Sequence, residues 1–420
     1  MTSTPDPVEA DARQRESRRD TFAALRRPNF RLWFLGRVVW QFGEQMLNVA
    51  VGWEIYERTG SAFALGLVGL VQVLPVILFA LPAGAVADRF NRKGIIITVQ
   101  IMLALSAVAL ATNSYYQASV EWFYFILFVT GVGGAFLSPA MSAYFPATIE
   151  PEYYHSAVTW GSSSWQLAAM AGPAAGGFLI AIFHSAWQVY ALNVVGCMFF
   201  IVMLLFIKGR PIAMSREPVT WRSLLVGVSF IWRTKVILGA VTLDMFAVLF
   251  GGAVALLPVY AKDVLMVGPE GLGWMRAAPS LGAVAMSLYL ASRPPFERSG
   301  KTLLIAVAGF GVATIIFGIS TSFLLSLVML VALGALDNIS VVIRSTLMLT
   351  RVPDDMRGRI SAVNSVFIGA SNELGQFESG VAAALLGPVG AVVFGGVGTL
   401  AVVAATARWL PDIRKLGRLV

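Results

Sequence analysis

Apolar residues run along this chain in long blocks separated by short polar breaks. Each block is long enough to cross a hydrocarbon core ~30 Å thick as a helix rising 1.5 Å per residue. The breaks predict spans near 31–56, 63–87, 94–112, 121–144, 157–184, 187–207, 236–260, 270–291, 302–320, 322–350, 359–386 and 388–410. The expected fold is therefore an all-α membrane protein with 12 transmembrane helices. Its longest interior polar stretch, 208–235, divides the spans six and six. This gives a basic N-terminal tail at 1–28, an N-terminal six-helix bundle at 29–207, a linker at 208–235, a C-terminal six-helix bundle at 236–410 and a tail at 411–420. Residues 1–28 are polar and Arg-rich without an apolar core, so they do not read as a cleaved signal peptide, and the first span is retained.

Composition agrees with the pattern and removes several function classes. The 420 residues are 57% hydrophobic and 13% charged, with mean hydropathy +0.75; a soluble domain carries about 25% charged residues. One Cys cannot form an intrachain disulfide, and two His far apart in sequence do not suggest a zinc site, so neither cofactor nor metal is expected. The net charge of +8 is explained by topology. With the N-terminus inside, basic residues number seven before Leu32, three at 89–93, six at 208–235, three at 293–301, three at 351–359 and four from Arg408 onward, 26 in all. Only Arg58 and Lys262 fall in outside loops, and Arg37, Arg276 and Arg344 lie within spans. The positive-inside rule then puts both termini, the tails and the linker on the cytoplasmic side of the membrane. The partners expected are the bilayer and its anionic inner leaflet, with no nucleic acid.

The halves echo one another. "ADRFNRKGII" (87–96) aligns with "ASRPPFERSGKTLLI" (291–305), each a basic loop between the second and third span of its half; "FPATIEPEYYHSAV" (145–158) answers "TRVPDDMRGRISAV" (350–363). Two such repeats with a site between them make a transporter layout. In the linker, Trp221, Leu224, Leu225, Val228 and Trp232 recur at roughly helical spacing between basic residues, which suits a helix lying in the interface as well as a plain linker.

"GAVADRFNRK", Gly84 to Lys93, resembles the loop signature of the major facilitator superfamily and falls between spans two and three, where that family carries it. Asn91 replaces the usual Gly, a departure accommodated by the tolerance of Asn for positive φ. "GPAAGG" in span five (Gly172, Pro173, Gly176, Gly177) resembles the antiporter signature of the superfamily's exporters. With "VPDDMRGRISAV" before span eleven and "NELGQFESG" within it, the chain is similar to the branch of enterobactin-type siderophore exporters and macrolide or multidrug efflux pumps. The resemblance implies the major facilitator fold, two pseudo-symmetric six-helix bundles, and export of a small amphiphilic molecule by alternating access and proton antiport. It also implies that Gly84, Asp88, Arg89, Arg92 and Lys93 form a cytoplasmic gating loop that latches the halves when the cavity opens outward. As topology anchors alone, the Arg and Lys are explained but Asp88 is not. The span-five Gly and Pro residues equally suit close helix packing. The Arg that proton-coupled drug exporters carry on span four is Leu127 here.

Polar residues inside the spans mark the candidate cavity. Arg37, Gln41, Glu44 and Asn48 follow steps of four, three and four on one face of the first helix. A charge at the bilayer centre costs about 2.5–3.5 kcal/mol even on the lenient scale, so this face lines a cavity or pairs internally, Arg37 with Glu44. Asp337, Ser340 and Arg344 in span ten, Asp244 in span seven, and Asn364, Ser371, Asn372, Glu373, Gln376 and Glu378 in span eleven extend the pattern, and one shared polar cavity is the economical reading. Glu44, Asp244, Asp337, Glu373 and Glu378 are the candidates for proton coupling, since carboxylates respond both to burial and to a nearby Arg. "PFERSGKT" (295–302) is not a phosphate loop, because Pro295 stands where the first Gly must be. No nucleophile or HExxH pattern supports an enzyme. An importer or a lipid or lysolipid flippase of the same fold is the alternative within transport. The chain is expected to act as a monomer on a small-molecule substrate.

Overall fold

The computed structural model describes residues 22–209, 229–353 and 356–418. In chain order its long helices are α1 (Pro28–Thr59), α2 (Ala62–Arg89), α3 (Arg92–Tyr116), α4 (Glu121–Tyr144), α5 (Tyr154–Phe183), α6 (Trp187–Phe206), α7 (Lys235–Phe250), α8 (Gly268–Ala291), α9 (Ser299–Ile319) and α10 (Phe323–Arg351). A last helical stretch, Arg357–Trp409, is interrupted at Gly387, where φ 76° and ψ 164° are open to glycine alone. Pro388 follows it and disfavours the helical region in the residue before it. We call the two arms α11 (357–386) and α12 (388–409); the break falls where the apolar pattern places a span boundary. Most of the expected interfacial helix, 210–228, lies outside the described residues.

Local chemistry sets the ends. Pro28 opens α1 at a position with no amide hydrogen bond to lose. Gly60, at φ 60°, closes α1, and the Ser61 hydroxyl accepts from the Ala64 N–H to cap α2, so two residues reverse the chain. Asn91 corrects an expectation: it sits at φ −61°, not in the positive region, and its Oδ1 accepts from the N–H groups of Lys93 and Gly94 at 3.1 and 3.4 Å. An Asn suits this loop as the N-cap of α3. The span expected at 236–260 continues only in pieces after Phe250, through short turns at Gly252–Val254 and Leu257–Val259 and a π-helical turn at Tyr260–Val264. Gly251, Gly252 and Pro258 account for the interruption.

Among the described residues, nine stretches are long and apolar enough to cross a membrane, one of them running through the Gly387 break. Helices α1 and α8, of 32 and 24 residues, are comparably long but more polar, bearing among others Arg37, Glu44 and Glu54, and Glu270 and Arg276.

The packing divides at one end of the molecule and not at the other. On the face that carries residues 22–27, 145–153, 292–298 and 410–418, which we call the terminal face, there are two separate apolar cores. One contains Phe30, Trp33, Ile149, Phe200 and Leu204, all from the first half; the other contains Ile237, Leu303, Leu347 and Ile413, all from the second. Toward the opposite, distal face a single core joins the halves, with Ile55, Val68 and Tyr190 in the same cluster as Leu257, Tyr260, Met275 and Ala383. Helix α2 packs on α11, and α5 on α8. Glycines allow these approaches: a Cβ on Gly66 would stand 2.8 Å from the Gly380 Cα, and one on Gly177 would stand 2.8 Å from the Gly273 Cα. Polar contacts reinforce the distal seam. The Tyr56 hydroxyl donates to Asp263, and the Lys262 ammonium donates to the Glu57 carbonyl at 3.3 Å while lying 5.8 Å from the centre of the Tyr56 ring.

A further buried network ties the distal end of the first half. Glu54, 4% exposed, pairs with Arg58 one turn on and accepts from the Tyr190 hydroxyl at 2.8 Å; Arg58 also reaches the Asn113 side chain at 3.1 Å and the Ala118 carbonyl at 2.9 Å. Helix α1 is thereby held to α6 and to the turn after α3. Tyr190→Phe keeps the ring packed on Phe123 but removes a hydrogen bond to a charged group, worth about 1.5–3 kcal/mol. We expect a lower thermal midpoint in detergent with helical content unchanged. An unaltered midpoint would show that Arg58 alone satisfies the carboxylate.

Candidate functional site

Helix α1 brings Arg37, Gln41 and Glu44 to one wall of a cavity of about 840 Å³ that lies wholly within the first half. The other walls are α4, through Thr130, Ser138 and Ser142, and α5, through Ser162, Trp165 and Gln166. The side chains come from the α1 and α5 segments next to the terminal face and from the adjoining half of α4. The cavity thus occupies the region where the two halves are not joined, and the polar face of α1 does face a cavity. Asn48 is exposed but does not line it, because four residues at 1.5 Å each carry it about 6 Å beyond Glu44.

The internal pairing considered for this face is not formed. Among the described residues Arg37 makes no ion pair, and its Nε is buried without a hydrogen-bond partner. Its guanidinium instead extends toward α5, where a Cβ on Gly161 would stand 3.7 Å from Nη1. Glu44 sits beside Asn193 of α6. The Gln41 Oε1 and the indole N–H groups of Trp33 and Trp40 are likewise buried and unpartnered, on residues that line the same cavity. Buried polar atoms are normally hydrogen-bonded, and four unsatisfied ones along three turns of one helix mark this stretch of α1 as more polar than its own packing requires.

The second half holds a smaller pocket of about 180 Å³ between α7, α10 and α11, lined by Asp244, Asp337, Arg344 and Asn372. Here the charges are satisfied internally: Arg344 Nη1 donates to Asp244 at 2.5 Å, with both side chains 8% exposed, and Arg344 Nε donates to Ser340 at 3.3 Å. Asp337 stands on the open side of the pair. In the order of helices within each half, α7, α10 and α11 correspond to α1, α4 and α5, so the two pockets occupy equivalent places.

Glu373 and Gln376 form a third group, at the seam of α11 with α2, while Glu378 accepts from the neighbouring Ser379 hydroxyl at 3.4 Å. Gln376 donates to Glu373 at 2.9 Å, and a Cβ on Gly69 would stand 2.8 Å from the Gln376 Cβ. Across from Glu373, Arg276 of α8 extends toward α1, its Nη2 lying 3.7 Å from where a Cβ on Gly52 would stand. The structure therefore corrects the single shared cavity: the candidates fall in two pockets and one seam, because the inter-half approach at the distal end separates them.

The span-five residues pack. A Cβ on Gly172 would meet the Gln45 side chain at 2.7 Å, one on Gly176 the Met46 carbonyl at 3.0 Å, and Gly177 faces α8, while Pro173 is buried within continuous helix. In the gating loop, Arg92 donates to the Ala143 carbonyl at 3.1 Å, and Lys93 to the carbonyls of Leu205 and Ile207 at 3.2 and 3.0 Å, all within the first half. Among the described residues Asp88 makes no ion pair.

Sequence reasoning missed Glu54, which lies within the first expected span. Ten residues from Glu44 place it about 80° round the helix from the marked face, and its signal was the Glu-to-Arg spacing of four to Arg58. The Asp244–Arg344 pairing had no sequence signal, because no local spacing joins α7 to α10.

Helices long enough to span a membrane, halves joined at one end and a cavity bearing charged side chains near the other define a multi-pass membrane transporter, not an enzyme. Residues 19–416 match the major facilitator family described as transmembrane secretion effector, and the chain belongs to that family. It is 25% identical over 389 residues to the enterobactin exporter EntS of Shigella boydii serotype 18, covering 92% of this chain and 93% of that protein. It is 24% identical over the same length, with the same coverage, to the enterobactin exporter of Escherichia coli O1:K1. Among solved structures, a POT family transporter in complex with 5-aminolevulinic acid superposes with TM-score 0.73 at 13% identity, over 91% of this chain and 96% of that one. A bacterial homologue of the iron transporter ferroportin in its inward-facing state gives TM-score 0.68 at 15% identity, over 92% and 99%.

Proposed function

We propose that the chain exports a small amphiphilic molecule across a bacterial cytoplasmic membrane by alternating access, as a proton antiporter acting as a monomer. The observation that carries this reading is the cavity on α1, α4 and α5, with its unpartnered polar atoms in the region where the halves stand apart, while the distal seam is closed. We read α1 to α6 and α7 to α12 as two six-helix bundles, with both termini on the cytoplasmic side. In that orientation the described conformation is the one that would load cargo from inside, which favours export over uptake. The relatives named as enterobactin exporters support a siderophore or a comparable amphiphile as cargo.

The test compares cells carrying and lacking the gene, measuring siderophore in the medium and susceptibility to a panel of amphiphilic drugs. Higher extracellular siderophore or drug resistance in the carrying cells supports export. Greater cellular uptake of any of these compounds would favour the importer, and transbilayer movement of labelled lysolipid the flippase.

Proton coupling is assigned to Glu44, the carboxylate that shares the first cavity with Arg37. Glu44→Gln is expected to remove the dependence of export on an imposed pH gradient in proteoliposomes, while downhill exchange of cargo persists. Gradient dependence equal to the wild type in that variant would move the coupling to Asp337 or Glu373.

A further inference from the structure

Three arginines lie well inside the helices at membrane depth, and their surroundings differ. Arg344 is neutralised by Asp244, and Arg276 faces Glu373. Arg37 has neither: among the described residues no carboxylate pairs with it. Glu44, seven residues on, is about 10 Å away along the helix axis, too far to serve as its hydrogen-bonded counter-ion. A guanidinium at this depth keeps its charge, and such groups in membrane proteins are paired or face a cavity whose contents pair with them. The cavity thus contains a fixed cation whose counter-anion the adjoining side chains do not supply, Glu44 of the same lining being out of reach.

The groups beside Arg37 extend the description of that anion. Trp33 is 2% exposed, and its faces are taken by Tyr144 and Phe200, while Trp40 stacks on Phe200, so the two indoles brace the wall that carries Arg37. A guanidinium can only donate, so Arg37 calls for acceptor oxygens. Trp165, 51% exposed, offers an open aromatic surface on the facing wall, and Leu137 and Met141 supply apolar floor. Glu44 lies about two turns deeper on α1, away from the guanidinium that would hold the anion's charged end.

We propose that this cavity selects an organic anion with a flat apolar body, such as an arenecarboxylate or a phenolate, whose charged oxygens bind Arg37 while its body lies against Trp165. The proposal rests on reading the cavity as the cargo site.

The test uses the full chain purified into phosphatidylcholine nanodiscs. Equilibrium binding of three radiolabelled probes with the same ring, 1-naphthoate, 1-naphthamide and 1-naphthylmethylammonium, is measured with empty nanodiscs subtracted. Naphthoate is expected to bind at least about tenfold tighter than either isostere, the range of a hydrogen bond to a charged group. Arg37→Gln should remove that preference, and Arg37→Lys should keep part of it. Gly161→Leu leaves the charge in place but covers the guanidinium, so it should weaken naphthoate specifically and answers the question if the Arg37 variants do not fold. Equal binding of the three probes, preference for the cation, no binding of any, or unchanged naphthoate affinity in both Arg37→Gln and Gly161→Leu would overturn the proposal. Naphthoate binding that is lost when the nanodiscs contain phosphatidylglycerol would assign the anion site to a lipid headgroup and overturn it as a cargo site. Export by cells is read separately: if the carrying cells export a cargo while the naphthoate preference is absent, only the anion assignment falls.

Discussion

Replacing Arg344 with Ala is expected to destabilise the protein by about 3–5 kcal/mol, the cost of leaving a buried charge without its partner. Asp244 and Arg344 are 6% and 7% exposed, and the cation also holds the Ser340 hydroxyl, so no other group is placed to take over the carboxylate. The measurement is the thermal midpoint and the recovered yield of purified protein in detergent. The double variant Asp244→Asn, Arg344→Gln should recover most of the loss, because two neutral amides in contact need no counter-charge. A single variant as stable as the wild type would mean that water already solvates the pair.

Gly177→Val is expected to hold the distal end open. A Cβ there would stand 2.8 Å from the Gly273 Cα, and backbone on both sides leaves no flexible side chain to give way. The seam between α5 and α8 would have to separate, and the single core that spans the halves would open with it. Cys197 is buried, so cysteines introduced at Gln117 and Thr321, in distal turns of opposite halves, can be spin-labelled selectively. The distance between the labels should lengthen by several ångströms. Transport should fall by at least tenfold, since the alternating access proposed above requires each end to close in turn. An unchanged distance with normal transport would show that the halves do not need this approach.

Much of the architecture was legible because it follows from local rules. Span ends are written in apolar run lengths, and the break at Gly387 is carried by a Gly–Pro pair that no continuous helix accommodates. The cavity wall on α1 was legible for the same reason, since steps of four, three and four place Arg37, Gln41 and Glu44 on one face whatever surrounds it. What one helix cannot record is its partner. The Asp244–Arg344 pair joins residues 100 positions apart, and the division of the candidates between two pockets and a seam depends on how closely α2 meets α11 at Gly66 and Gly380. The loop signature showed both kinds of information at once. Its position was readable, but Asn91 acts through a cap on α3 that only the backbone conformation reveals.

The distal turns constrain how the molecule can move. Only Gly60 and Ser61 separate α1 from α2, three residues separate α5 from α6 and α9 from α10, and the hinge between α11 and α12 is the single residue Gly387. Links this short leave no slack, so a helix cannot slide along its axis without dragging the next one in the opposite sense. Piston-like strokes of these helices are thereby opposed, which leaves tilting of each half as a block as the motion that the proposed alternating access would draw on. The stroke of such a tilt would be fixed by the geometry of the turns rather than by the size of the passenger.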